Sequence, residues 1–173
     1  MSDTQTYEAI GSITAAEQYS GFSDAMDRLT NSQVSFVKGL SAFEDYKSFT
    51  YRKEPRLKPF IYMHSTDDAD VSFVCVDPFI LTPSYSVSIG VETLENLKLE
   101  KAEDAIVLCL VSVGKDMYTT TANLMSPIVV NPLTMKGEQV IMEDVGIDFL
   151  RYNVWDSIGK SSSGMTNVSV EGN

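Results

Sequence analysis

Phe60-Ile-Tyr-Met-His-Ser-Thr-Asp-Asp-Ala-Asp-Val-Ser-Phe-Val-Cys-Val-Asp-Pro-Phe79 is the stretch on which the fold is read. Val71 to Val76 is β-branched and aromatic and reads as a strand, with Phe60 to His64 a weaker strand before it. Asp67, Asp68 and Asp70 make an acidic turn between the two. Asp77-Pro78 then ends the ladder, because proline holds the preceding residue extended and brings no N–H of its own.

Similar short runs recur along the chain. Ser48 to Tyr51, Tyr85 to Ile89, Ala105 to Val113, Ile128 to Val130 and Gln139 to Met142 all carry strand-forming residues, most of them bounded by Pro, Gly, Asp or Asn. Asn131 to Gly137 reads as a hairpin connection, with Pro132 outside the ladder and Gly137 free to take an unusual φ. This spacing predicts an antiparallel sandwich or small barrel. Helices interrupt it. From Thr14 to Thr30 the apolar residues Ala15, Tyr19, Phe22, Met26 and Leu29 recur at helical spacing behind a Thr14-x-x-Glu17 capping box. Thr93 to Leu99 predicts a short helix, and Ile147, Leu150, Val154 and Ile158 are spaced for a third that stops at Gly159. Residues 160–173 read as a Ser/Gly-rich flexible tail, leaving residues 1–159 as one domain.

At 173 residues and with 43% hydrophobic content the chain is long enough for a core without metal or disulfides. Cys75 and Cys109 each lie in an apolar run and read as small buried hydrophobes. The N-terminus is polar and no apolar run approaches a membrane span, so a soluble cytoplasmic protein with no membrane contact is expected. The net charge of −11 argues against direct nucleic-acid binding and for a basic partner. That charge is uneven. Residues 59–113 hold nine acids against Lys98 and Lys101, whereas Lys47, Arg52, Lys53, Arg56 and Lys58 form a cationic stretch just before them.

Little in the sequence suggests catalysis. No phosphate-binding loop, dinucleotide fingerprint, nucleophile elbow or paired-His motif is present, and no cofactor is called for. His64, with Ser65 and the acidic turn beside it, is the one superficially catalytic group, and Asp67, Asp68 and Asp70 lack the further ligands of a calcium loop. Recognition is better represented. Phe79, Ile80 and Leu81 follow the proline stop, and Asn123 and Asn131 flank the apolar segment Leu124 to Val130, where amides can satisfy tight connections. Each of these residues reads equally well as structural.

Four ordered motifs together resemble the FliW family of flagellar assembly factors: Lys38-Gly39-Leu40-Ser-Ala-Phe43-Glu44-Asp45-Tyr46, the Phe60 to Phe79 stretch, Thr121-Ala-Asn123-Leu124-x-x-Pro127-Ile-Val-Val-Asn131, and Lys136-Gly137-x-Gln139-Val-Ile141. The resemblance covers roughly residues 34–145. It implies a mainly β fold, a small partly open antiparallel β-barrel with short helices, to which this chain adds an inserted helix at 14–30 and a C-terminal helix. It makes Gly39, Phe43, Pro78, Asn123, Asn131 and Gly137 structural motif positions. It also implies a non-enzymatic partner switch, in which the protein binds the C-terminal region of flagellin in the cytoplasm. When flagellin is exported, the freed protein binds CsrA, a dimeric RNA-binding translational regulator, and relieves repression of the flagellin message. The family pattern Gly-Leu-Pro-Gly-Phe appears here as Gly39-Leu40-Ser41-Ala42-Phe43, and Tyr7 to Ile13 would be the opening hairpin, turning at Ile10 to Ile13.

Charge then assigns surfaces. CsrA needs a basic face to hold RNA, so Asp67, Asp68, Asp70 and Asp77 are the expected CsrA-facing residues. A helical flagellin segment is expected on an apolar strip formed by Phe79, Ile80, Leu124 and Pro127. An acidic export chaperone without a translational role and a small hydrolase using His64 are the rival readings.

Overall fold

The structure is a computed structural model that describes residues 11–158. Eleven strands are found among them: β1 (Gly11–Ile13), β2 (Gln33–Phe36), β3 (Ser48–Lys53), β4 (Ile61–Ser65), β5 (Ser72–Val76), β6 (Val87–Ile89), β7 (Ile106–Ser112), β8 (Thr121–Ala122), β9 (Ile128–Asn131), β10 (Lys136–Gln139) and β11 (Tyr152–Asn153). Three α-helices lie wholly among them, α1 (Ala15–Thr30), α2 (Pro78–Leu81) and α3 (Val91–Leu97), and residues 154–158 are helical as well.

The quoted stretch forms the β4–β5 hairpin, with Ile61 opposite Cys75 and His64 opposite Ser72. Strands pair in the order β7-β5-β4-β3-β2-β10-β9, and β9 pairs back onto β7, closing a seven-stranded barrel. Closure leaves the barrel no free edges. One pair, β2 with β10, is parallel, and the others in the ring are antiparallel. Strands β8 and β11 extend from β7 as a flap, and β1 pairs with β6 as a separate two-stranded sheet.

Strand β7 explains why Ala105 to Val113 is so uniformly apolar. Ile106 and Leu108 pack in one cluster with Phe36, Phe49, Met63 and Cys75, whereas Val107 and Cys109 pack in another with Ile13, Val76, Phe79 and Leu124. Both faces of the strand are therefore buried, which removes the polar alternation of a half-exposed strand. Cys75 and Cys109 are free thiols in different clusters, and burial pushes Cys75 up to about 12 and Cys109 well above the ordinary thiol range.

Helix α1 begins where the capping box places it, with the Thr14 N–H donating to Glu17 Oε2 at 2.9 Å. Met26 and Leu29 enter the cluster that holds Phe36 and Met63. Gln18 is only 3% exposed and does something unusual for a helical glutamine. Its amide accepts from Val107 N (2.8 Å) and donates to Val107 O (3.0 Å), as a neighbouring strand would. Continuing the β5–β7 register past Val76–Cys109 would put Pro78 opposite Val107, but β5 has ended and the chain has turned into α2. The helix thus fills a gap in the ladder where a proline has no N–H to offer.

Three local expectations are corrected. Gly11 to Ile13 is a strand paired with Val87 to Ile89, not a hairpin turn; the rest of the expected Tyr7 to Ile13 hairpin lies outside the described residues, as do Gly159 and the 160–173 tail. The second strand of the 128–139 hairpin starts at Lys136, so Gly137 sits inside β10 rather than in the turn. A Cβ at Gly137 would lie 2.5 Å from the Phe36 ring, so this glycine serves close approach across the β2–β10 pair. The continuous helix expected from Ile147 to Ile158 is instead a 3₁₀ segment (Ile147–Arg151), strand β11 and helical residues 154–158, because Tyr152 and Asn153 pair with Ala122 and Thr121.

Gly39 and Ala42 both adopt positive φ, +67° and +66°. Ala42 occupies the position where the family pattern carries a second glycine, and a left-handed non-glycine residue costs about 1–2 kcal/mol. Ala42→Gly is therefore expected to stabilise the protein by about 1 kcal/mol. A urea midpoint that stays put or falls would show that the turn tolerates alanine without strain.

Candidate partner-binding surfaces

The segment between β2 and β3 organises the acidic end of the barrel. Asp67 Oδ2 accepts from Lys47 N (2.8 Å) and Ser48 N (3.1 Å) on one side of it. On the other side Lys38 Nζ lies 2.9 Å from Glu92 Oε1 and 3.7 Å from Glu138 Oε1. The hydrogen bond to Glu92 and the charge of Glu138 raise the Lys38 ammonium above its ordinary pKa, and Lys38 in turn lowers Glu92. Between these anchors the chain exposes Glu44, Asp45 and Phe43, whose ring meets Phe73 edge-on at 5.0 Å, and Val37 is exposed just before Lys38. Seven of the nine acids in 59–113 are exposed: Asp67, Asp70, Glu92, Glu95, Glu100, Glu103 and Asp104.

The four carboxylates expected to face CsrA are not equivalent. Asp67 caps Lys47 and Ser48, and Asp68 Oδ1 accepts from Asp70 N at 2.9 Å, so both hold the turn together. Asp70 is exposed, and no hydrogen bond engages its carboxylate among the described residues. Asp77 is a correction. It is 1% exposed, caps α2 by accepting from Phe79 N at 2.9 Å, and belongs to the interior rather than to any acidic face. Glu44 and Asp45 were missed as candidates, although they stand in the Lys38 to Tyr46 motif that carried the resemblance.

The expected flagellin strip is also corrected. Phe79 and Leu124 are 1% and 0% exposed and pack in one core cluster, and Pro127 is buried. Of the four only Ile80, 41% exposed, presents its side chain outward. Asn123 and Asn131 stabilise connections: Asn123 Oδ1 accepts from Met125 N and Ser126 N, and Asn131 Nδ2 donates to Leu97 O and Lys98 O while its Oδ1 accepts from Leu133 N. Pro78 opens α2.

An apolar groove of about 400 Å³ runs over the outside of the barrel. Its floor is Tyr62, Val74 and Val111, neighbours in register across β4, β5 and β7. Leu57 to Phe60, Val113, Met117 and Trp155 also line it. His64 stacks on Tyr62 with ring centroids 6.0 Å apart, and the Ser65 hydroxyl accepts from Asp67 N and Asp68 N. No side-chain hydrogen bond joins His64 to Ser65 or to the acidic turn among the described residues, which leaves no nucleophile–base pair there. Nor do three His, Cys, Asp or Glu side chains converge on a cation position among those residues, and no helix is long and apolar enough to cross a membrane.

Comparison with known proteins places this architecture. The family described as "FliW protein" matches residues 22–152. The chain belongs to the FliW family. It is 32% identical over 128 residues to the flagellar assembly factor FliW of Caldicellulosiruptor saccharolyticus, covering 74% of this chain and 83% of that one. The FliW of Syntrophus aciditrophicus is 34% identical over 130 residues, covering 75% and 82%. A crystal structure of the flagellar assembly factor FliW superposes with a TM-score of 0.63 at 30% identity, covering 67% of this chain and 81% of that chain. The FliW match begins at residue 22, so the first two turns of α1, with Gln18, lie ahead of the family's matched region.

Proposed function

We propose that this FliW-family protein is a partner switch in flagellar assembly. It holds the C-terminal region of flagellin in the cytoplasm, and when flagellin leaves by export it captures CsrA and relieves repression of flagellin translation. The observation that carries the CsrA half is the exposed acidic rim around residues 37–47, where Glu44, Asp45 and Asp70 present carboxylates to solvent. Such a field steers a basic dimer and adds negative potential beside its RNA site.

The test uses purified components. Asp45→Lys with Asp70→Lys reverses two exposed charges and leaves the turn-holding Asp67 and Asp68 intact. CsrA affinity is expected to fall about fivefold or more at low salt, with a flatter salt dependence. Unchanged affinity at low salt sinks the surface assignment. Flagellin binding without any CsrA binding by the unmodified protein replaces the switch with an export chaperone.

A further inference from the structure

Residues 11–20 are tied to the rest of the molecule by backbone pairing at two places. Gly11 to Ile13 pairs with Val87 to Ile89, and β6 has no other strand partner among the described residues. Gln18 completes the ladder at Val107 through its two amide bonds. Between them Ile13 is fully buried, in the cluster that holds Val87, Ile89 and Val107. Gly11 gives β1 a close seat, since a Cβ there would lie 2.7 Å from the Cβ of Ala102.

Helix α1 has a weak point just beyond Gln18. Gly21 stands in its middle, where glycine weakens helix formation about fivefold relative to alanine. No packing requires it, because a Cβ at Gly21 would meet nothing within 4 Å outside its own stretch of helix. Gly21 also lines an open cleft of about 340 Å³, together with Gln18, Ala105 and Pro132. The two halves of the helix belong to different parts of the core. Ala15 packs against the cluster of Ile13, whereas Phe22, Ala25, Met26 and Leu29 pack in the cluster of Phe36 and Met63. The FliW match begins at residue 22, directly after the glycine. A helical glycine that no close contact demands, set between two separately anchored halves, is suited to act as a joint.

We propose that residues 11–20 form a strap that lifts as one unit about Gly21, uncovering the β6 edge and the Val107 backbone groups while the barrel stays closed. Closed, the strap pairs β6 and satisfies Val107. Lifted, it leaves β6 an open edge and Val107 without partners, and the 22–30 half of α1 remains in place. The device does not depend on which partner the protein takes.

Amide hydrogen exchange on the whole chain, followed residue by residue in low concentrations of urea, tests this. The Val107 amide and the β6 amides bonded to β1 are expected to exchange at one common opening, about tenfold or more above that of the β3 and β4 amides and with little urea dependence. Gly11→Val wedges only the β1 seat, yet it is expected to speed Val107 and β6 by the same factor. Gly21→Ala is expected to slow both about fivefold. Ser23→Gly weakens the half of α1 that stays docked, so it is expected to speed the barrel amides by about twofold and leave the strap opening unchanged. Val107 and β6 amides that exchange only with the barrel, with its full urea dependence, overturn the strap. Gly11→Val that speeds β6 and leaves Val107 unmoved shows two independent attachments and overturns the single unit. Ser23→Gly that speeds the strap amides as much as the barrel amides overturns the joint at Gly21.

Discussion

Gln18→Leu is expected to lower the unfolding free energy by roughly 4 kcal/mol, because it strands a buried N–H and a buried C=O at a cost of about 1–3 kcal/mol each. Leucine has similar volume, so the loss isolates the two hydrogen bonds to Val107 from packing. Neither Val107 group has a strand to turn to, since β5 ends at Val76 and Pro78 lies where the next partner would be. For a domain of this size the melting temperature should fall by roughly 10 °C at 2–4 °C per kcal/mol. The Val107 amide should also lose its protection from hydrogen exchange. A loss below about 1 kcal/mol would mean that solvent reaches the gap and that α1 is not the strand's substitute.

Asp77→Asn should change how stability depends on pH. Asp77 is almost wholly buried, one of its oxygens finds no hydrogen-bond partner, and burial pushes its pKa from 3.8 to about 6, against the smaller opposing effects of the Phe79 N–H and the Gln18 amide. Between about pH 4 and 6 the folded state therefore holds a proton that the unfolded chain releases. Above pH 6 the ionised carboxylate costs the fold on the order of 3 kcal/mol, and this penalty is relieved as pH falls from about 6 towards 4. Asparagine keeps an oxygen for the Phe79 N–H and carries no charge. The variant should be the more stable protein at pH 7.5, and the advantage should vanish near pH 4. Denaturation midpoints for the two proteins that run parallel across this range would contradict a buried, partly protonated Asp77. Gln18 sits beside this carboxylate, so the two substitutions are expected to be non-additive in the double variant.

What was legible in the chain follows from range of interaction. Helix α1 begins at the residue its capping box names, because a cap is satisfied within three residues. Strands β5 and β7 fall within their expected runs for a similar reason, and β4 and β9 each extend one residue beyond theirs. Strand β10 was displaced because Lys136, Gly137 and Glu138 are poor strand formers, held there by pairing with β9 and β2 and by the Phe36 ring over Gly137. Residues 147–158 keep a helical apolar spacing and still break into three pieces, since pairing with β8 offsets the helix's local hydrogen bonds. For the candidate sites, type was legible and exposure was not. Phe79 and Ile80 are adjacent and equally apolar, and one is core while the other faces solvent.

By its sequence alone this protein declares a barrel of short strands, an N-terminal helix, an acid-rich surface and the motifs of the FliW family, all properties carried by local pattern or by ordered motifs. Tertiary structure alone decided that Asp77 leaves the acidic surface for the interior, that Phe79 and Leu124 are core, that Gln18 completes a strand and that Lys58 and Lys115 line one apolar groove. Burial and juxtaposition depend on which distant segment covers a residue. Ring closure through β7 and β9, and the layers laid over its outer face, determine that covering.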